Sequence, residues 1–148
     1  MTREHDVVLH GATGFVGRLT AKHLAAHGGT AKIALSGRSK AKLEALKAEL
    51  GVDWPVIVAD ATDATSLATL AQSTTAIATA VGPYAKYGMP LVEACAEAGT
   101  SYADLTGEVL FAREAGERFH KLAVETGARI VHSTGFDSVP SEIGRAHV

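Results

Sequence analysis

The feature that most constrains the fold is the stretch VVLHGATGFVG near the start of the chain, which carries glycines at Gly11, Gly14 and Gly17. The residues before Gly11 are apolar, as in a buried β-strand, and an amphipathic pattern follows Gly14, as in a helix. The GxxGxxG spacing is close to the GxGxxG fingerprint of dinucleotide-binding domains. The pattern therefore predicts a strand, a glycine turn and a helix.

Each glycine of this turn has a predicted physical role. Gly11 lets the chain turn sharply away from the strand, Gly14 lets a pyrophosphate approach the backbone, and Gly17 lets the helix pack close to the strand. Free N–H groups and the helix dipole then hold the phosphates. The predicted phosphate-binding segment comprises Gly11, Ala12, Thr13, Gly14, Phe15, Val16 and Gly17. A plain strand–turn–helix connection without a ligand remains an open alternative on this motif alone.

Strand-like and helix-like patterns alternate along the rest of the chain. We expect strands at 6–10, 32–36, 56–59, 75–81, 101–105 and 129–133, and helices at 14–27, 40–50, 64–72, 90–98 and 108–125. In the first helix, Phe15, Leu19 and Leu24 form the expected apolar face. Short apolar strands that alternate with helices indicate an α/β fold with a doubly wound parallel sheet of the Rossmann type, in strand order 3-2-1-4-5-6.

Composition limits the classes of protein to which the chain can belong. Its 148 residues are 47% hydrophobic and 20% charged, with a net charge of −2, which fits one globular domain and disfavours nucleic acid or an anionic membrane as partner. One cysteine, Cys95, excludes an internal disulfide, and the seven histidines show no metal-ligand spacing. With no signal peptide at the charged N-terminus and no membrane span, a cytoplasmic location is expected.

The end of the second predicted strand bears on which cofactor binds. NAD-binding domains often carry an acidic residue there for the ribose 2′-hydroxyl, whereas this chain has Ser36, Gly37, Arg38 and Ser39. A guanidinium flanked by two hydroxyls suits a 2′-phosphate, so NADP is predicted in preference to NAD. The alternative is that Arg38 is a solvated arginine at a helix start.

Two further strand ends complete the predicted cofactor site. Asp60 and Ala61 follow the third strand and are placed to contact the adenine, although a helix-capping loop would explain them equally well. The segment that follows the fourth strand is expected to let the backbone approach the centre of the cofactor. Its residues are Val81, Gly82, Pro83 and Tyr84.

No catalytic acid or base is assigned from the sequence. Tyr84 and Tyr87 are candidates to line the nicotinamide pocket, but local packing is the favoured interpretation. Asp104 and Glu108 flank the end of the fifth strand, where an acid more often serves a helix dipole. His10 directly precedes the glycine turn and is placed beside the phosphate site.

Together these segments resemble the saccharopine dehydrogenase-like oxidoreductases, especially the branch with the mycobacterial trans-acting enoyl reductases. The motifs that carry the resemblance are GATGFVG at 11–17, SGRS at 36–39, VGPY at 81–84 with YG at 87–88, YADLTGE at 102–108 and GFDSVP at 135–140. The resemblance implies an NAD(P)-binding Rossmann domain followed by a larger substrate-binding domain. It also implies hydride transfer to an enoyl thioester-like or imine-like substrate.

The chain departs from the family pattern in length, and we expect the second, substrate-binding domain to be missing from it. Residues 143–148 match what a common sequencing-library adapter encodes, so we expect a Rossmann domain over 1–142 followed by a non-native tail. Such a truncated chain is expected to bind cofactor at best weakly and without turnover, and to need the missing domain for its small-molecule or acyl substrate. It is also expected to self-associate through exposed apolar surface.

Two other functions are compatible with the same residues. A non-catalytic sensor would bind NADP and regulate a partner without chemistry. A short-chain dehydrogenase is disfavoured because no convincing Tyr-x-x-x-Lys motif is present: Tyr84 is followed by Lys86 and Tyr87, and Tyr102 by Thr106. NADPH consumption in the presence of an acyl thioester would separate an enzyme from a sensor.

Overall fold

A computed structural model describes residues 3–140. Its six strands form one sheet, and every neighbouring pair is parallel, in the order β3-β2-β1-β4-β5-β6. In chain order the elements are β1 (His5–His10), α1 (Phe15–His27), β2 (Ile33–Gly37), α2 (Lys40–Leu50), β3 (Val56–Val58), α3 (Ala64–Ser73), β4 (Thr74–Thr79), α4 (Tyr84–Tyr87), α5 (Met89–Ala98), β5 (Ser101–Asp104), α6 (Val109–Thr126) and β6 (Ile130–Val131). The predicted fold class and strand order are confirmed. The predicted tail, residues 143–148, lies outside the described residues.

Helix boundaries follow local capping chemistry. The Ser39 hydroxyl accepts the N–H of Lys42 at the start of α2, and the Asp63 carboxylate accepts the N–H of Thr65 at the start of α3. Gly51 ends α2 in the left-handed conformation that glycine tolerates best. Most helix and strand boundaries lie within one residue of the predicted boundaries.

Three elements differ more clearly from the prediction. β4 ends at Thr79 rather than at residue 81, because the chain leaves the sheet in the turn before α4. The one-turn helix α4 was not predicted, since four residues are too few to show a helical repeat. β6 is also shorter than expected, and it covers only Ile130–Val131.

The predicted apolar face of α1 is wrong at Phe15 and Leu19. Phe15 is 82% exposed and Leu19 is 53% exposed, whereas the residues that α1 buries are Gly17 and Ala21. The helix approaches β1 so closely that only small residues fit between them, and the large side chains lie elsewhere on its surface. Leu24, which is partly buried, does pack against this core as predicted.

The two faces of the sheet are covered unequally. One face packs against α3, α5 and α6, and the row Val8, Ile77, Tyr102 and Ile130 across β1, β4, β5 and β6 belongs to that core. On the other face α1 and α2 cover β1 and β2. On that second face a row of side chains runs across β1, β4, β5 and β6, formed by Leu9, Ala78, Ala103 and Val131. It is buried at Leu9, half-buried in the middle and exposed at Val131.

An apolar cavity of about 520 Å³ opens over this uncovered half of the sheet. Its walls include Leu9, Val16, Ala78, Ala103 and Phe136. Among residues 3–140, no helix combines the length and apolar character that a membrane crossing requires.

Candidate functional site

The glycine turn is fastened to the neighbouring strand by its own backbone. The N–H groups of Gly11 and Ala12 both donate to the carbonyl of Ser36, at 2.9 and 3.1 Å. Gly11 has φ +82°, a conformation that side chains disfavour, and a Cβ there would lie 2.7 Å from Cγ2 of Val81. Glycine is therefore required at position 11 for the turn itself, as predicted.

Gly17 and Gly14 lack side chains for different reasons. A Cβ on Gly17 would lie 2.1 Å from the carbonyl oxygen of Gly11 and 2.8 Å from Cα of Ala12, so the close packing of α1 on the turn requires glycine. A Cβ on Gly14 would meet only the Gly11 carbonyl oxygen, at an ordinary 3.5 Å. Nothing among residues 3–140 requires glycine at position 14. This is the behaviour expected of a glycine that leaves space for an external group.

Several N–H groups of the turn point away from protein acceptors. Within the described residues, the backbone N–H groups of Thr13, Phe15 and Val16 have no hydrogen-bond acceptor. They lie at the N-terminus of α1, where the helix dipole favours negative charge. The turn therefore fits a phosphate group, as the glycine spacing predicts.

A polar cavity of about 490 Å³ adjoins this turn at the carboxyl ends of β1, β2, β3 and β4. It brings together eight of the predicted site residues, namely Thr13, Gly14, Gly37, Arg38, Asp60, Ala61, Val81 and Gly82. It adds five residues that were not among the predicted binding residues, namely His10, Lys42, Thr62, Ala80 and Tyr87. The other predicted residues do not line it.

Those other residues have structural positions around the cavity. Gly11, Ala12 and Gly17 shape the turn, and Phe15 and Val16 begin α1. Ser36 is fully buried and its hydroxyl lies 3.1 Å from Nδ1 of His10, so of the two serines around Arg38 only Ser39 lies near the surface. Pro83 is exposed and precedes α4, while Tyr84 is buried.

Two cations mark one end of the cavity. Arg38 is exposed directly after β2, and Lys42 is exposed in the first turn of α2, four residues further on. Arg38 precedes the N-cap residue Ser39, so helical spacing does not relate the two cations, and the sequence carried no local signal for Lys42. Both cations can approach a phosphate from the same side of the cavity.

Asp60 also borders the cavity and is held by its own turn. Its carboxylate accepts the N–H and the hydroxyl of Thr62, at 2.8 and 2.7 Å. These bonds lower the pKa of Asp60, and the Arg38 guanidinium lowers it further. The side chain that caps α3 is that of Asp63, so Asp60 shapes the loop before the helix and also lines the cavity.

The segment after β4 is fixed by three hydrogen bonds, of which that of the Tyr84 hydroxyl is buried. The Tyr84 hydroxyl donates to the carbonyl of Thr79 at 3.0 Å, and burial raises the pKa of this phenol to about 12. The Glu108 carboxylate accepts the N–H groups of Tyr84 and Ala85, at 2.7 and 2.8 Å. Local packing is therefore the role of Tyr84, and Glu108 serves the N-terminus of α4 rather than that of its own helix.

Asp104 is likewise committed to the fold. Its buried carboxylate accepts the Tyr102 hydroxyl at 2.8 Å, lies 2.7 Å from Nδ1 of His132, and accepts the N–H groups of Thr106 and Ser133, each at 3.1 Å. Burial acts to raise the pKa of Asp104, but these hydrogen bonds outweigh burial and leave the pKa below its ordinary value. Both oxygens are used, so this acid fastens β5 to β6. No cluster of His, Cys, Asp or Glu in the described part of the chain could hold a metal ion.

Replacing Glu108 with alanine is expected to lower the free energy of unfolding by about 2 kcal/mol, because two N–H groups of α4 lose a charged acceptor. Urea denaturation measures the change. Glu114→Ala is the matched control, since this exposed glutamate pairs only with Arg118 on the same helix and should cost about 0.5 kcal/mol. Equal losses in the two variants would show that the Glu108 bonds add nothing.

His10 makes the stability of the domain depend on pH. Burial lowers its pKa to about 4, and the attraction of Asp60 recovers only part of the shift. Between pH 6.5 and pH 4 the unfolded chain binds a proton at His10 that the folded chain does not. The free energy of unfolding therefore decreases as the pH is lowered through this window, by about 3 kcal/mol in total. Denaturation at several pH values should show this fall, and a His10→Leu/Ser36→Ala variant should lack that part of it. An unchanged pH dependence in the variant would contradict the assignment.

The doubly wound parallel sheet, the glycine turn with open N–H groups and the paired cations at the end of β2 define a nicotinamide-dinucleotide-binding domain of the Rossmann type. The family model described as the saccharopine dehydrogenase NADP binding domain matches residues 7–131. The chain belongs to this family. The predicted resemblance and the predicted cofactor, NADP, are confirmed at the level of the family.

Similar sequences and structures agree with this assignment. The chain is 54% identical over 144 residues to a trans-acting enoyl reductase of Mycobacterium tuberculosis, a match that covers 95% of this chain and 34% of that protein. It is 52% identical to a trans-acting enoyl reductase of Mycobacterium ulcerans, covering 99% of this chain and 36% of that protein. The chain thus spans about a third of the length of these relatives.

Solved structures show the same fold at low sequence identity. Apo saccharopine dehydrogenase (L-Glu forming) from Saccharomyces cerevisiae matches with a TM-score of 0.74 at 20% identity, covering 96% of this chain and 32% of that one. The triphenylmethane reductase of Citrobacter sp., solved with NADP(H), matches with a TM-score of 0.64 at 20% identity, covering 86% of this chain and 48% of that one.

Proposed function

We propose that this chain is the NADPH-binding part of an oxidoreductase like the trans-acting enoyl reductases, and that it holds NADPH for hydride transfer to an acyl substrate with an enoyl group. One observation carries the proposal: Thr13 and Gly14 of the glycine turn and the cations Arg38 and Lys42 border one cavity, and the N–H of Thr13 has no acceptor among the described residues. A pyrophosphate and a 2′-phosphate in one ligand match that pair of features.

The residues of the chain contribute binding and orientation. The N–H groups of Thr13, Phe15 and Val16 hold the pyrophosphate, and Arg38 and Lys42 bind the 2′-phosphate. Asp60 and Ala61 border the adenine. The segment 81–84, fastened by Glu108, supports the middle of the cofactor. When bound, NADPH supplies the hydride.

The substrate site is proposed to need protein beyond these residues. The relatives are about three times as long, and the side chains that border β4 and β5 here, Tyr84 and Asp104, are already engaged in structural hydrogen bonds. We therefore expect this chain alone to bind NADPH without consuming it.

The test is NADPH oxidation by a form that carries the full length of the relatives, with an enoyl thioester as substrate. Steady loss of absorbance at the NADPH band supports the reductase. NADPH binding without any loss across a panel of enoyl and imine substrates would favour the alternative function, a sensor that uses NADP occupancy to regulate a partner. This chain assayed alone provides the control for background oxidation.

The uncovered half of the sheet leads us to expect self-association. Leu19, Val131 and Phe136 are 53%, 50% and 90% exposed, and Phe136 borders the open apolar cavity. Size exclusion with light scattering should show a dimer or larger species, which Leu19→Glu should weaken. Val124→Glu is the control, since Val124 is equally exposed on α6, which packs on the opposite face of the sheet. A sharp monomer peak for the unmodified chain would contradict the expectation.

A further inference from the structure

His10 is a buried polar residue with unused hydrogen-bonding capacity at the end of β1. Its side chain borders the polar cavity, yet only 2% of the residue is exposed. One ring nitrogen, Nε2, is buried and has no hydrogen-bond partner anywhere in residues 3–140. Buried polar atoms nearly always have partners, so an unpartnered one beside a binding cavity indicates that a bound group completes it.

Ser36 determines which ring nitrogen carries the proton. Nδ1 lies 3.1 Å from the Ser36 hydroxyl, and that hydroxyl has no other partner among the described residues. If the Ser36 hydroxyl donates its hydrogen to Nδ1, that hydrogen and the Nδ1 lone pair both have a partner. The hydrogen of the neutral ring is then on Nε2. The opposite arrangement would leave both the hydroxyl hydrogen and Nε2 without partners. The geometry therefore favours a neutral imidazole with an Nε2–H donor.

The position of His10 selects the part of the cofactor that can meet this donor. The cavity extends from Arg38, Lys42 and Asp60, at the ends of β2 and β3, to the segment 80–82 after β4, and the His10 ring lies against β2, with Nδ1 3.1 Å from the Ser36 hydroxyl. These strand ends hold the adenosine half in the proposed function, whereas the nicotinamide half lies towards β4 and β5. A neutral donor there suits an uncharged acceptor such as a ribose oxygen or an adenine ring nitrogen.

We propose that His10 is a ligand-binding residue whose Nε2–H donates a hydrogen bond to the 2′-phosphoadenosine half of NADP(H), with Ser36 as the positioning residue that sets its tautomer. The inference rests on the proposed function, since it requires a dinucleotide in this cavity. It assigns a binding role to a residue that a purely structural account would regard as part of the core.

Nitrogen-15 NMR of the histidine rings tests the donor directly in the unmodified chain. Titration with 2′,5′-ADP, which contains only the adenosine half with its 2′-phosphate, should shift the Nε2 signal of His10. Nicotinamide mononucleotide, which lacks adenosine, should leave it in place. If saturating 2′,5′-ADP leaves Nε2 unmoved, the role of His10 is wrong while the proposed function stands. If neither NADPH nor 2′,5′-ADP binds, both are wrong.

A variant separates a binding role from a structural one. His10→Leu/Ser36→Ala removes the donor and leaves no hydroxyl without a partner, so the melting temperature without ligand should not fall. Binding of 2′,5′-ADP should weaken about tenfold, the effect of one hydrogen bond. His23→Leu, a change of an exposed histidine on α1, is the control and should bind normally. A lower melting temperature with unchanged affinity would overturn the proposal.

Discussion

Arg38→Asp is expected to weaken NADPH binding about 100-fold or more while leaving NADH binding unchanged or improved. Arg38 is exposed at the end of β2, where it borders the polar cavity beside Lys42. A guanidinium–phosphate contact contributes about 1.5–3 kcal/mol, and an aspartate in its place adds repulsion between like charges. Calorimetric titration with both cofactors measures the change in preference.

The controls for Arg38→Asp separate a local effect from a general loss of positive charge. Arg113→Asp removes an exposed arginine that pairs only with Glu117 on α6, and it should leave both affinities unchanged. Lys42→Ala should weaken NADPH binding less than Arg38→Asp does, since it removes a cation without adding a repulsive charge. If Arg38→Asp keeps the NADPH affinity of the unmodified chain, the 2′-phosphate lies elsewhere.

Gly17→Ala is expected to lower the free energy of unfolding by about 3 kcal/mol, although alanine is ordinarily the better helix former. Its Cβ would lie 2.1 Å from the carbonyl oxygen of Gly11 and 2.8 Å from Cα of Ala12, and both are backbone atoms that cannot turn aside. Helix α1 would have to move away from the glycine turn. Chemical denaturation gives the loss directly.

Two other glycines provide matched comparisons. Gly116 lies on the exposed side of α6 with nothing within 4 Å of its added Cβ, so Gly116→Ala should stabilise the protein by about 0.5–1 kcal/mol. Gly14→Ala should leave stability within about 0.5 kcal/mol but weaken NADPH binding, because its Cβ would enter the space assigned to the pyrophosphate. Equal stability losses at 14 and 17 would contradict the different roles assigned to these glycines.

The sheet and the glycine turn could be predicted because short-range patterns determine them. A run such as Val7 to Leu9 and the repeat of Leu43, Leu46 and Leu50 report their own secondary structure, and right-handed crossovers then leave few strand orders. The same reasoning placed Arg38 at a strand end, and there it borders the polar cavity.

The remaining site features depend on contacts between distant parts of the chain. Glu108 caps a helix that begins 24 residues earlier, and Asp104 joins β5 to His132, so neither role has a local sequence signal. The exposed side chain of Phe15 was mispredicted because periodicity shows that a helix has an apolar stripe but not how closely its neighbour approaches. The contact between Gly17 and the glycine turn sets how closely α1 approaches its neighbour.

The most direct test of the central claim is a calorimetric titration of the purified chain with NADPH and with NADH. Because the glycine turn and the cations Arg38 and Lys42 border one cavity, NADPH should bind with a stoichiometry near one and at least tenfold more tightly than NADH. Equal affinity for the two cofactors would contradict the proposed role of Arg38 and Lys42 in binding the 2′-phosphate. Binding of neither by a chain that melts cooperatively would contradict the assignment of this cavity to a dinucleotide.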